Sequence, residues 1–231
     1  MALPIRDINP TRSFPFVTKA LVFVNIAVFI YQILDPAITA KYAFVPEKAS
    51  SELYRWVTHM FLHSGIMHIT GNMIYLWVFG DNVEDYYGHL RFLFLYLFWG
   101  VAAAFAHWAS TIAQASMIEN PYLKSYLLKM PAVGASGAIS GVLGAYLVLY
   151  PRARILTLTF FIVITLIEVP AWAYIGFWFL YQLIYGFIDF FALQKVEVAY
   201  FAHIGGFVAG ALTALATRGR RRRVVYYYYW P

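Results

Sequence analysis

The chain has 231 residues, of which 62% are hydrophobic and 12% charged. A soluble domain carries about 25% charged residues and about 45–50% apolar ones, and a water-soluble fold of this length could not hide so much apolar surface inside itself. The composition therefore specifies one integral membrane domain, and the absence of cysteine excludes a disulfide framework, a thiolate zinc site and a cysteine nucleophile.

The net charge of +6 sits largely at the two ends. Arg6, Arg12 and Lys19 precede or open the first apolar run, and Arg218, Arg220, Arg221, Arg222 and Arg223 follow the last. Such clusters can bind nucleic acid, but beside apolar spans they read as positive-inside anchors against anionic lipid headgroups. No nucleic-acid partner is expected. Both ends are expected in the cytoplasm, so the number of crossings is even.

Residues 1–15 hold Pro4, Arg6, Asp7 and Pro10, with no small-residue cleavage site after the first apolar run. They read as a cytoplasmic tail, and the run at 16–34 as a retained first span. Residues 35–55, with Pro36, Pro46 and several charges, read as a surface loop. A second span is expected over 65–80, a charged turn over 81–91 and a third span over 92–110. Residues 111–131 mix Glu119, Lys124 and Lys129 with Pro121, giving a loop with one short helix. A fourth helix runs over 136–150 and stops before Pro151. Residues 155–167 are apolar but too few to cross a bilayer, and read as a membrane-hugging loop. The fifth and sixth spans are expected over 171–191 and 199–217. The architecture is thus an all-α polytopic membrane domain at 16–217, between the tail at 1–15 and a basic, aromatic tail at 218–231. It is a multi-pass protein of the cell membrane, with lipid as its first partner.

Polar groups within spans are expensive, so each is a candidate for function. Three places stand out. The helix at 136–150 is about 22 Å long against a hydrocarbon core of about 30 Å. Ending beside Arg152, it must begin below the opposite surface, which places Ser136 inside the membrane at a helix N-terminus. Unpaired N–H groups and the positive dipole end there suit a developing oxyanion. The bland reading of Ser136 is a small packing residue or an N-cap.

The second place is His203, three residues before Gly206. Gly206 and Gly210 form a small-xxx-small pair, as do Gly137 and Gly141 in the fourth helix. If those faces pack together, His203 is carried to Ser136 and can act as its general base. The third is the stretch from His59 to Asn72, in which His68 and Asn72 are four apart and share a helix face. Both can donate to a negative oxygen, or serve as interhelical glue. His59 and His63 have the spacing of the zinc-protease motif His-Glu-x-x-His, but Met60 occupies the glutamate position. No metal or cofactor is expected.

These residues resemble the rhomboid family of intramembrane serine proteases. Gly134-Ala135-Ser136-Gly137 is similar to the family's Gly-x-Ser-Gly nucleophile motif, and Ala202-His203-Ile204-Gly205-Gly206 to its Ala-His-x-x-Gly motif. His68-Ile69-Thr70-Gly71-Asn72 resembles its His-x-x-x-Asn signature, Gly80-Asp81-Asn82-Val83-Glu84 the stretch ending its second span, and Tyr54-Arg55-Trp56 its Trp-Arg element. The resemblance implies a six-helix bundle with Ser136 as nucleophile and His203 as base. It implies that Asn72, His68 and the Ser136 amide hold the oxyanion, that Gly134 shapes the turn, and that single-span membrane proteins are the substrates. No acid neighbours His203 in its span, which agrees with a dyad; Asp189 and Glu197 are nearest. Two departures are visible: Ser140 stands where some members place an aromatic under the histidine ring, and the 119–129 stretch is long. An inactive rhomboid-like binder of membrane clients is the alternative, though it would typically lack the serine or the histidine. A transporter would show repeats that this sequence lacks.

Overall fold

A computed structural model describes residues 2–160, 164–192 and 198–219. In chain order the elements are β1 (Ala2–Asp7), α1 (Phe16–Leu34), α2 (Ala37–Tyr42), α3 (Arg55–Thr58), α4 (Ile66–Tyr87), α5 (His89–Ser116), α6 (Pro121–Lys129), α7 (Ser136–Leu149), β2 (Arg154–Phe160), β3 (Ile164–Pro170), α8 (Ala171–Ala192) and α9 (Tyr200–Thr217). Short 3₁₀ turns cover Pro46–Lys48 and His59–Phe61. Glu197, the Arg220, Arg221, Arg222 and Arg223 cluster and the closing aromatic string fall outside the described residues.

Among the described residues four helices, α1, α5, α8 and α9, are long and apolar enough to cross a membrane. Their outward faces carry large apolar side chains such as Phe23, Ile30, Phe94, Phe177 and Leu212. Such a surface is stable only against lipid, so this is a membrane protein. The apolar α7 is shorter, and it sits inside: ten of its residues, from Gly137 to Tyr146, are buried. Four helices, α4, α5, α8 and α9, pack around it. The short helix expected in the 111–131 loop is α6, whose N-terminus is capped by Asn120 Oδ1 accepting from the amides of Tyr122 and Leu123 at 2.9 and 3.2 Å.

Two expectations are corrected. The charged turn at 81–91 is helix as far as Tyr87, and the chain reverses only at Gly88. Its acids turn inward because they satisfy backbone donors. Glu84, fully buried, accepts from the amides of Val17 and Thr18 at 2.8 and 2.7 Å, and so closes the N-terminus of α1. Asp85 accepts from the amide and hydroxyl of Ser13.

The second correction concerns the membrane-hugging loop at 155–167, which is a hairpin, and the N-terminal tail, which is not free. β2 pairs antiparallel with both β3 and β1, giving a three-stranded sheet in the order β1-β2-β3. The strictly all-α expectation therefore omits this sheet. It forms because alternating Thr157 and Thr159 among Ile155, Leu156 and Leu158 give strand periodicity, and because β1 supplies hydrogen bonds that a short apolar loop would lack. The sheet is tied to the bundle through Asp7, whose carboxylate accepts from the Tyr146 hydroxyl at 2.6 Å and the Asn82 amide at 2.7 Å. Burial pushes the Asp7 carboxyl up to about 7, against the opposing pull of the Tyr146 hydrogen bond.

The sheet, the start of α1 and the ends of α4, α7 and α9 share one end of the bundle. The starts of α4, α7 and α9 meet near the other, and the functional candidates lie there.

Candidate active site

Ser136 is the first helical residue of α7, and Ala135 is the cap. The hydroxyl is thus not spent on capping. Its Oγ lies 2.8 Å from Nε2 of His203, which sits one turn into α9. The contact follows from the glycine stripes. A methyl group on Gly206 would strike the carbonyl oxygen of Gly137, one on Gly210 that of Gly141, and one on Gly144 that of Phe207. Only hydrogen side chains let α7 and α9 come this close, and the approach sets the distance between the two reactive atoms.

Gly134 precedes the helix with φ +131°, a left-handed conformation that a side chain would strain. It also yields space: a Cβ there would lie 2.8 and 2.9 Å from Cε1 and Nε2 of His68. The His68 ring therefore rests against the turn that leads into Ser136. Its Nδ1 faces the Ser64 backbone amide at 3.2 Å and the Ser64 hydroxyl at 2.9 Å. A backbone amide can only donate, so Nδ1 accepts, and the ring proton is on Nε2, the atom beside Gly134. Asn72, buried one turn further along α4, donates one amide proton to the His68 carbonyl at 2.8 Å and keeps a second. The first amides of α7 have no intrahelical acceptors. Three kinds of donor thus border the cavity that Ser136 lines.

Ser136, His203, His68 and Asn72 line one cavity of about 540 Å³. Leu127 and Met130, at the end of α6, form part of its wall. So the long 119–129 stretch borders the site rather than lying apart from it.

Two contacts escaped the sequence reading. Ser140 brings no ring to the histidine, and its hydroxyl turns back to the Ser136 carbonyl at 2.6 Å. The aromatic neighbour comes instead from α8, where Trp178 lies with its ring centre 6.1 Å from that of His203 and tilted by 34°. Gln182, also on α8 and only 5% exposed, places Oε1 2.8 Å from His203 Nδ1. Its spacing of four from Trp178, in a largely apolar helix that also carries Asp189, was the available signal.

His59 and His63 do not form the helical pair that their spacing suggested. The chain changes from a 3₁₀ turn at His59–Phe61 to extended backbone at Leu62. His59 Nδ1 is 2.9 Å from the Arg55 carbonyl, and the His63 ring stands edge-on to Phe29 and His68. Arg55 itself donates to the carbonyls of Ala40 and Ala43 at 3.0 and 2.6 Å, pinning this loop over the bundle.

A model of the rhomboid domain matches residues 50–220. Among curated proteins the chain is similar to the rhomboid protease GluP of Bacillus subtilis, with 34% identity over 73% of this chain and 27% of that protein. It is 29% identical to the mitochondrial rhomboid protein 1 of Saccharomyces cerevisiae, over 84% of this chain and 51% of that one. The rhomboid protease AarA of Providencia stuartii is 30% identical over 86% of this chain and 71% of its own length. The chain spans about a quarter of the first relative and half of the second. The family model spans every candidate above, from Arg55 through His68, Asn72 and Ser136 to His203. On that match, the chain belongs to the rhomboid family.

Proposed function

We propose that this chain is an intramembrane serine endopeptidase that cleaves transmembrane segments of single-span membrane proteins, with Ser136 as nucleophile and His203 as general base. The observation that carries the reading is the 2.8 Å contact between Ser136 Oγ and His203 Nε2 at the start of a buried helix. In the first step Oγ attacks the scissile carbonyl carbon while Nε2 takes its proton. The carbonyl oxygen becomes an oxyanion between the Ser136 amide, His68 Nε2–H and the second Asn72 amide proton. The intermediate collapses, the amine leaves with the proton from Nε2, and water hydrolyses the acyl-enzyme by the same path. Gly134 keeps the turn open so that the His68 donor can reach it.

The reading includes six crossings: α1, α4, α5, α7, α8 and α9. α4, with Trp77 on its outer face, and the enclosed α7 complete the set. The basic residues near both ends support a cytoplasmic location for both termini, which puts the cavity on the extracytoplasmic side. Substrates with a helix-weakening segment near the cut suit a site that must take up extended backbone.

The test is cleavage of a single-span substrate in liposomes by the wild type and by Ser136→Ala. Alanine fits the small site and cannot attack a carbonyl, so a folded, inactive variant is expected. Equal cleavage by both proteins would remove Ser136 from the chemistry.

A further inference from the structure

We propose that Gln182 is a positioning residue for the base, so that the serine–histidine dyad is oriented by a third side chain from a neighbouring helix. The inference rests on the protease reading. Nε2 of His203 must accept from the Ser136 hydroxyl, so in the resting ring the proton is on Nδ1. Among the described residues the acceptor for that proton is Gln182 Oε1, at 2.8 Å. An imidazole with only one nitrogen engaged can rotate and exchange tautomers. Held at both nitrogens, it keeps its Nε2 lone pair on the serine.

α8 supplies more than this acceptor. Trp178 and Gln182 are one helical turn apart and share a face. The Trp178 ring neighbours the His203 ring, centres 6.1 Å apart and tilted by 34°, while Gln182 takes its edge. The imidazole is thus held by a helix other than its own. No proton passes to the amide: one moves from Oγ to Nε2 and on to the leaving amine, and Nδ1–H stays in place throughout. The imidazolium formed on the way gains a charge-assisted hydrogen bond to Oε1. A neutral amide does this without placing a permanent charge among apolar helices, where a carboxylate carries a large desolvation penalty. Glutamine is therefore the side chain of suitable length that orients the base at least expense to the membrane fold.

The experiment compares wild type, Gln182→Leu and Gln182→Glu in detergent. The readouts are the rate of Ser136 labelling by a fluorophosphonate, kcat and KM on a single-span substrate, the pH profile and the thermal midpoint. Leucine keeps the bulk and loses the acceptor: labelling and kcat per folded molecule should fall about 10–100-fold with KM little changed. Glutamate restores an acceptor and adds charge. Its activity should recover, and the low-pH limb of kcat/KM should move up by about one pH unit, since the carboxylate favours the imidazolium. The other titratable side chains of the cavity wall that could act on His203, among them His68, His107 and Asp189, remain in every variant.

If Gln182 were only interhelical glue, the midpoint would drop while labelling and kcat per folded molecule stayed at wild-type values, and that result overturns the proposal. Should the leucine variant fail to fold, the glutamate variant decides alone, and an unmoved low-pH limb refutes the positioning role. Wild-type protein that neither labels nor cleaves would refute the protease reading itself, a separate outcome.

Discussion

The substitution Gly206→Ala tests the link between helix packing and chemistry. Gly206 lies one turn from His203, and its α-hydrogen faces the carbonyl oxygen of Gly137, next to the nucleophile. A methyl group there would lie far inside van der Waals contact with backbone, which cannot rotate away as a side chain can. Normal contact needs about 3.5 Å, so α9 must move off α7 by roughly 1–1.5 Å. The Ser136–His203 distance of 2.8 Å would then approach 4 Å, beyond hydrogen-bond reach. A misplacement of about 1 Å can lower turnover about 100-fold, and overpacking destabilises by about 1–3 kcal/mol. The assay is kcat on a single-span substrate, with the thermal midpoint measured on the same preparation. Gly176→Ala is the control, because a Cβ on Gly176 meets nothing within 4 Å. That change should keep kcat and raise stability slightly through helix propensity. Wild-type turnover by Gly206→Ala would refute the claim that the glycine contact sets the catalytic distance.

Other outcomes follow from the same geometry. Asn72→Ala should lower kcat at least tenfold while fluorophosphonate labelling continues slowly, because the serine and histidine are intact; a lower midpoint with normal kcat would leave Asn72 as structural glue. Asp7 titrates at about 7 in the fold against an ordinary 3.8. Between those values the folded protein binds more protons than the unfolded chain, so stability should fall as pH rises from about 4 to about 7 and level off above. With solvent screening at a side chain that keeps some exposure, the expected change is about 1–2 kcal/mol. Asp7→Asn should flatten the thermal-midpoint profile over that range, and an unchanged slope would clear Asp7. A reporter fused after residue 231 should face the cytoplasm, and an extracytoplasmic signal would overturn the even crossing count.

How much of this was readable beforehand depends on the kind of interaction. The pairing of Ser136 with His203 was legible because glycine repeats encode close helix approach in plain spacing: Gly137 and Gly141 meet Gly206 and Gly210 as their four-residue intervals require. Each stripe is local in sequence, and lipid imposes few other ways to bury it. The strands were less legible. Thr157 and Thr159 alternate with apolar neighbours, but the partner strand β1 lies about 150 residues away and is only 6 residues long. A pairing of that range leaves no local trace, and the high apolar content of 155–167 pointed toward lipid instead. The helical end of α4 was misjudged for a related reason. Asp81, Glu84 and Asp85 looked like a solvated turn, whereas Glu84 accepts from backbone amides at the start of α1 and Asp85 from that of Ser13 just before it, at separations near 70 residues.

Gln182 marks the limit of motif reading. It is one polar residue in a helix of 22, and no motif names it. What makes it significant is where its oxygen points, and that depends on how α8 rotates against α9. The rotation is set by bulky contacts, notably Phe179 stacked on Phe207 with ring centres 3.9 Å apart. Those two side chains look like ordinary lipid-facing aromatics in the sequence. Yet Phe179 lies one residue from Trp178 and three from Gln182, so its stacking fixes the azimuth of the face that meets His203. His203 is thus positioned from two sides by different physics. Glycines bring α9 toward Ser136 by removing bulk, and aromatics turn α8 toward His203 by supplying it.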